Sequence, residues 1–179
     1  MIKDIKKVLL TEEEILNRVK ELAAEISKDY SGKDLLVVGI LKGSVLFASD
    51  VIKNITIPCQ IDFMAVSSYG NSSETSGIVR ILKDLDHSIE GKDILIVEDI
   101  IDSGVTLDYL LKYLKARKAN SIEIMTLLTK PARRKVDINV KYCGFEVPGE
   151  FLVGYGLDFA EKYRNLPYIG ILKEAVYKN

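Results

Sequence analysis

The chain has 179 residues, of which 47% are hydrophobic and 28% charged, and this balance excludes a disordered chain, a collagen and a coiled coil. Twenty-five basic residues face 26 acidic ones, a formal net charge of -1, so no global basic field draws the protein to nucleic acid. The longest apolar runs, such as Leu35 to Leu41 and Ile94 to Val97, are far too short to span a bilayer.

The first segment carries basic residues and only a short apolar run, Val8 to Leu10, so no secretory signal is expected and the cytoplasm is the expected address. Thr11 with Glu14 forms a capping box, and Ile15, Val19, Leu22 and Ile26 follow at helical spacing, predicting a helix that stops near Ser31-Gly32. Leu35 to Ile40 is a continuous apolar run, suited to a strand buried on both faces. Gly43-Ser44 opens a short apolar helix through Ile52, and Pro58 to Val66 reads as a strand.

Ser67 to Gly77 is almost wholly polar, and a gap of that length inside a compact domain predicts a functional loop. Strand signals resume at Ile78 to Leu82 and at Ile94 to Val97. Leu107, Leu110, Leu111 and Leu114 predict an amphipathic helix ending near Asn120, and Ser121 to Leu128 is β-rich. Beyond Pro131 the pattern weakens into short segments around Tyr142, Phe151 and Tyr168.

Strands alternating with helices predict an α/β fold, a mostly parallel sheet flanked by helices, in one domain over residues 1–179. In such sheets ligands collect at the carboxyl ends of the strands, which directs attention to the segments after Ile40, Val66, Val97 and Leu128. Cys59 and Cys143 are too few for a disulfide framework. The sole histidine, His87, lies in a turn-like stretch and is expected at the surface, which argues against a His/Cys zinc site or a histidine-dependent triad. Two basic clusters, Lys3-Lys6-Lys7 and Arg133-Arg134-Lys135, read as solvated surface.

The chemistry concentrates where Ile94-Leu95-Ile96-Val97 runs into Glu98-Asp99-Ile100-Ile101-Asp102-Ser103-Gly104-Val105-Thr106, a strand, a tight turn and a helix start. Gly104 lets the backbone bend with its amides inward, and Ser103 and Thr106 add hydroxyl donors, which makes an anion cradle of phosphate size. Glu98, Asp99 and Asp102 would repel a bare anion. Either a divalent cation lies between carboxylates and phosphates, or the carboxylates hold sugar hydroxyls while the phosphate lies further along the turn. A phosphorylated sugar with magnesium satisfies both. A bare helix cap does not account for three acids after a wholly apolar strand.

The run Val97 to Thr106 resembles the phosphoribosyl-pyrophosphate motif of the type I phosphoribosyltransferases, in the Glu-Asp-Ile-Ile-Asp-Ser/Thr-Gly form of their hypoxanthine (hypoxanthine-guanine) members. Leu41-Lys42-Gly43-Ser44, Ser68-Tyr69, Lys130 and Phe151 to Asp158 with Arg164 agree in order and spacing, so the resemblance covers about Val8 to Leu172. It implies the type I phosphoribosyltransferase fold, with a small hood formed by terminal segments. It further implies that Ser103, Gly104, Val105 and Thr106 hold a 5′-phosphate, with Asp102 the general base against purine N7. Glu98 and Asp99 would bind the ribose hydroxyls near Mg2+, and Asp158 would ligate a second magnesium ion beside the purine. Lys42, Gly43 and Arg164 would contact pyrophosphate, with a cis peptide between Leu41 and Lys42. Val105 stands where many relatives carry lysine, and little effect is expected because that position offers its amide.

Lys130 can only donate hydrogen bonds, which suits the O6 of an oxopurine and not the amino group of adenine. By the same resemblance Phe151 would stack on the purine, backbone groups of Leu152 would read the base edge, and Ser68 and Tyr69 would belong to a lid that excludes water. The implied activity condenses hypoxanthine, and guanine with it, with phosphoribosyl pyrophosphate to IMP or GMP and pyrophosphate, in a homodimer or homotetramer. The ranking of hypoxanthine, guanine and xanthine stays open. A receiver domain is disfavoured because the acidic pair falls mid-chain and runs into Asp-Ser-Gly-Val-Thr. A regulator of the same fold that binds nucleotide effectors without turnover is the alternative; a DNA-binding segment, a basic face or loss of Asp102 would favour it, and the sequence has none of these.

Overall fold

The computed structural model describes residues 1–68 and 79–178, the side chain of Ser68 excepted. Nine strands and four helices follow in chain order among the described residues: β1 (Ile5–Leu10), α1 (Glu12–Asp29), β2 (Leu35–Leu41), α2 (Val45–Asn54), β3 (Gln60–Ser68), β4 (Val79–Lys83), β5 (Asp93–Ile101), α3 (Val105–Lys115), β6 (Ser121–Thr129), β7 (Tyr142–Glu146), β8 (Leu152–Val153), β9 (Ile169–Leu172) and α4 (Glu174–Tyr177).

The main sheet has the order β4-β3-β2-β5-β6-β7. All neighbours in it are parallel except β4, which runs antiparallel to β3 at the edge. β2 and β5 are central because both can be buried on two faces. Leu35, Val37, Leu95 and Val97 join a core beneath α1 and α2, whereas Leu36, Val38, Ile94 and Ile96 join a second core beneath α3. That two-sided burial is why their sequences are continuous apolar runs instead of alternating ones.

α1 begins as expected: Thr11 Oγ1 accepts from the Glu14 amide, and the Glu14 carboxylate accepts from the Thr11 amide at 2.7 Å. Its apolar stripe of Ile15, Val19, Leu22 and Ile26 is fully buried. α3 ends at Lys115, before the expected Asn120, because the chain turns through Lys118 at φ 59° to enter β6. His87 is exposed, as expected.

A second, smaller sheet has the order β1-β9-β8 and is antiparallel throughout. It joins the two ends of the chain into the hood. Val153, Tyr163, Leu166 and Leu172 form its own apolar cluster, against which Ile5, Phe151, Phe159, Tyr168, Val176 and Tyr177 pack.

From β2 the chain proceeds outward to β3 and β4, then returns to place β5 on the other side of β2 and continues to β6 and β7. The β2/β5 boundary is therefore the topological switch point, where connections diverge and leave a crevice at the carboxyl ends of the strands. The hood covers that crevice.

Candidate active site

β5 delivers the acidic residues. It continues four residues beyond Val97, pairing Glu98, Ile100 and Ile101 with Thr126, Leu128 and Thr129 of β6. Glu98 and Asp99 thus lie on the strand, and only Asp102-Ser103-Gly104 form the turn that sequence reading had begun at Glu98. Gly104 caps α3 in the left-handed conformation, φ 81°. A Cβ there would also approach Ile138 Cδ1 to 2.8 Å.

A cavity of about 150 Å³ opens at this turn, lined by Glu98, Asp102, Ser103, Gly104 and Thr106 with flanking apolar residues. It lies at the N-terminus of an 11-residue helix, whose unpaired amides and dipole favour an anion. Val105 does not line the cavity, and its amide lies 3.4 Å from Ser103 Oγ. The Lys135 amide donates to the Ser103 carbonyl at 2.9 Å, bracing the turn from outside.

A second cavity, about 460 Å³, shares Ile100 and Asp102 with the first. Asp99, Lys130, Phe151, Leu152, Asp158 and Tyr177 are among its walls. The volume suits a small ring system. Lys130 is 7% exposed and donates from Nζ to the Glu150 carbonyl at 2.9 Å. Burial lowers its ammonium pKa; Asp102 and Glu150 oppose that shift, and Arg133 adds to it. Phe151 lies at the cavity wall, stacked on Tyr177.

One residue of the basic cluster expected to be plain surface belongs to this site, and a second packs beside it. Arg133 lines the larger cavity, and its Nε lies 2.8 Å from Asp102 Oδ1 in an ion pair without hydrogen-bond geometry. Arg134 donates to Thr129 Oγ1 at 2.7 Å. The segment from Pro131 folds back against the turn between β5 and α3, a tertiary event with no local sequence signal. Ile100 and Tyr177 are likewise wall residues that sequence reading did not assign.

The β2–α2 loop meets β5 at the switch point. Leu41–Lys42 is a cis peptide, as the resemblance implied. A Cβ on Gly43 would overlap the Asp99 carboxylate, so only glycine lets the loop approach so closely. Lys42 Nζ donates to Glu161 at 2.7 Å, and Arg164 pairs with both Glu161 and Asp158 at 3.0 Å. Arg164 Nε is buried without a hydrogen-bond partner among the described residues. Arg164 is thus held beside Asp158, its charge reaching Asp99, and Glu161 bridges it to Lys42.

The acidic pair is under electrostatic load. Burial pushes the Asp99 carboxyl up to about 6, against the amide of Ile100 and the Arg164 charge, with Asp158 raising it further. Burial and the Asp99 charge push Glu98 well above the usual carboxylate range. Glu98 and Asp99 line different cavities, while Asp99 and Asp158 share one. Among the described residues no three carboxylate, histidine or cysteine side chains converge into a cage. Hard oxygen donors carrying excess negative charge, in an incomplete set, fit a cation that keeps water and completes its shell with substrate oxygens.

Ser68 closes β3, opposite Val79 of β4. Tyr69, the other expected lid residue, lies outside the described residues.

Two adjoining cavities, one at the α3 N-terminus and one walled by Phe151 and Tyr177, lie at the carboxyl end of β5. The phosphoribosyl transferase domain family matches residues 7–160. The chain belongs to the phosphoribosyltransferase family. Within that family it is similar to the hypoxanthine-guanine phosphoribosyltransferase of Bacillus subtilis (strain 168), 59% identical over 176 residues and 98% of each chain. It is equally similar to the enzyme of that name from Staphylococcus aureus (strain Mu50), 59% identical over 179 residues and 100% of each chain. A crystal structure of a hypoxanthine phosphoribosyltransferase from Staphylococcus aureus superposes with a TM-score of 0.97 at 59% identity, covering 100% of this chain and 97% of that one. The type I phosphoribosyltransferase fold implied by the resemblance is therefore the fold observed, hood included.

Proposed function

We propose that the protein is a purine-salvage pentosyltransferase, joining hypoxanthine or guanine to phosphoribosyl pyrophosphate to give IMP or GMP and pyrophosphate. The observation that carries this reading is the meeting of the 150 Å³ cradle and the 460 Å³ slot at Asp102 and Ile100. A nucleoside monophosphate spans such a pair, phosphate in one cavity and base in the other.

In this reading Ser103, Gly104 and Thr106, with the Val105 amide, hold the 5′-phosphate at the α3 N-terminus. Glu98 and Asp99 hold the ribose hydroxyls. Lys42, the Gly43 backbone and Arg164 take the pyrophosphate, exchanging Glu161 for the incoming anion. The purine lies between Ile100 and Phe151, with Leu152 backbone groups at its edge and Lys130 donating to O6. N9 displaces pyrophosphate at C1 of the ribose through an oxocarbenium-like state, and Asp102 accepts or shares the N7 proton. Arg133, ion-paired to Asp102 at the cavity wall, lies beside that base. The donor chemistry of Asp99 and Asp158 fits Mg2+, which when bound neutralises the departing pyrophosphate. Ser68 and Tyr69 are read as the lid.

The family match and the pairing of both chain ends in the hood support one phosphoribosyltransferase domain over residues 1–179. We further infer a cytoplasmic homodimer or homotetramer acting on small molecules alone. No helix among the described residues is long and apolar enough to cross a membrane. Asp102, present and facing both cavities, disfavours the regulator without turnover.

The test is product formation from phosphoribosyl pyrophosphate with hypoxanthine, guanine, xanthine and adenine in parallel, with and without magnesium. Magnesium-dependent turnover of oxopurines that spares adenine is expected, and Asp102→Ala should reduce kcat by about 10²-fold or more. Binding of phosphoribosyl pyrophosphate with no turnover of any base would point to the regulator, and an Asp102→Ala variant at full turnover would remove the general base.

A further inference from the structure

One wall of the larger cavity is made by the last helical turn. α4 spans only Glu174–Tyr177, yet Tyr177 lines the same space as Lys130, Phe151 and Asp158. Its ring stacks on Phe151 with centroids 4.9 Å apart and planes at 27°. Phe159 and Phe151 form a T-shaped pair, with centroids 5.5 Å apart and planes at 89°. Phe151 thus has two aromatic neighbours, Tyr177 stacked on it and Phe159 perpendicular to it. Offset-stacked and T-shaped pairs are the favoured geometries of the aromatic quadrupole, so the trio resists rotation of the central ring.

The turn that carries Tyr177 is tied down by the opposite end of the chain. The Lys173 amide donates to the Asp4 carbonyl at 2.9 Å and Lys173 Nζ to the Lys3 carbonyl at 2.6 Å. The Leu172 amide, one residue earlier, donates to the carbonyl of Phe151 itself at 2.8 Å. Phe151 and the start of the terminal turn are therefore one hydrogen-bonded unit, and Tyr177 closes it through the side chains.

We propose that Tyr177 is a positioning residue for the base: through its stack on Phe151 it sets the plane against which a flat bicyclic heteroaromatic ring is held. The C-terminal turn then belongs to the base site, and the N-terminal segment that anchors it contributes at one remove. This rests on the reading of the larger cavity as the base pocket.

Steady-state kinetics on Tyr177→Leu, Tyr177→Phe and Phe151→Leu separate the two claims. Leucine keeps apolar bulk but loses the flat face; at a half-buried terminal site it should leave the melting temperature near that of the wild type. Tyr177→Leu should raise the KM for hypoxanthine and guanine about tenfold, with kcat and the KM for phosphoribosyl pyrophosphate within about twofold, and Tyr177→Phe should restore the base KM. An unchanged or lowered base KM in Tyr177→Leu, while Phe151→Leu raises it, would overturn the positioning role alone. An unchanged base KM in Phe151→Leu would overturn the pocket reading, and the inference with it.

Discussion

Lys130 illustrates how one side chain sets a preference. A buried ammonium loses hydration and recovers it only through acceptors aimed at it. The Glu150 carbonyl supplies one acceptor; an oxopurine supplies another, and an aminopurine presents a donor instead. A hydrogen bond from a charged donor contributes about 1.5–3 kcal/mol. Lys130→Met should therefore raise the KM for hypoxanthine by roughly 10- to 100-fold and narrow the gap to adenine. The same substitution has a stability signature. Burial lowers the folded pKa of Lys130 below that of a free lysine. Between the two values the unfolded chain binds the proton that the folded chain has lost. The charge's burial cost is thus present in full below the folded pKa and is relieved as pH rises through it. Lys130→Met should lack that alkaline gain and be no less stable than the wild type at pH 7, as thermal melts from pH 7 to pH 10 would show. A marked loss of stability at neutral pH would mean that the lysine is structural. Arg133 makes a complementary point: a residue that reads as solvated surface becomes part of a site once Pro131 and its successors fold back beside Asp102.

Among elements, the β5–turn–α3 unit has the clearest link from sequence to chemistry. Gly104 has two reasons to be glycine, its φ of 81° and the approach of Ile138, Arg134 and Val136 to where a Cβ would stand. Gly104→Ala should cost about 1–3 kcal/mol in urea unfolding and raise the KM for phosphoribosyl pyrophosphate by about tenfold or more, because the amides that face the phosphate move with the cap. A variant with both quantities unchanged would mean that the turn is not the cradle. Much of this architecture was legible because it is local. The capping box at Thr11, the two-sided apolar runs of β2 and β5, and the glycine-bearing turn each encode their own geometry within a few residues. What escaped reading depends on distant partners. β1 contains Lys6 and Lys7 and has no strand-like alternation; it is a strand because it pairs with β9 at the other end of the chain. The extension of β5 through Ile101 is imposed by β6, which supplies partners for Glu98, Ile100 and Ile101. Tyr177 reaches the larger cavity from α4, well beyond Asp158, the last residue the sequence marks at that wall.

On the scale of the whole molecule, a parallel sheet with a switch point between β2 and β5 creates the crevice, and a hood made from both termini roofs it. The sheet positions the turn before α3, read as the phosphate cradle, and the acidic pair. The hood supplies Phe151, Leu152, Asp158 and Arg164 from the segment that includes β8, together with Tyr177 from α4. On the proposed function, catalysis depends on the registration of two layers that meet at Asp102. The direct test is calorimetric titration of IMP and of hypoxanthine into the wild type, Ser103→Ala/Thr106→Ala and Phe151→Leu. The two-cavity reading predicts that IMP binding weakens in both variants, whereas hypoxanthine binding, measured with pyrophosphate present, weakens only in Phe151→Leu. IMP binding left intact by either variant would contradict it, since one of the two cavities would then hold no part of the nucleotide.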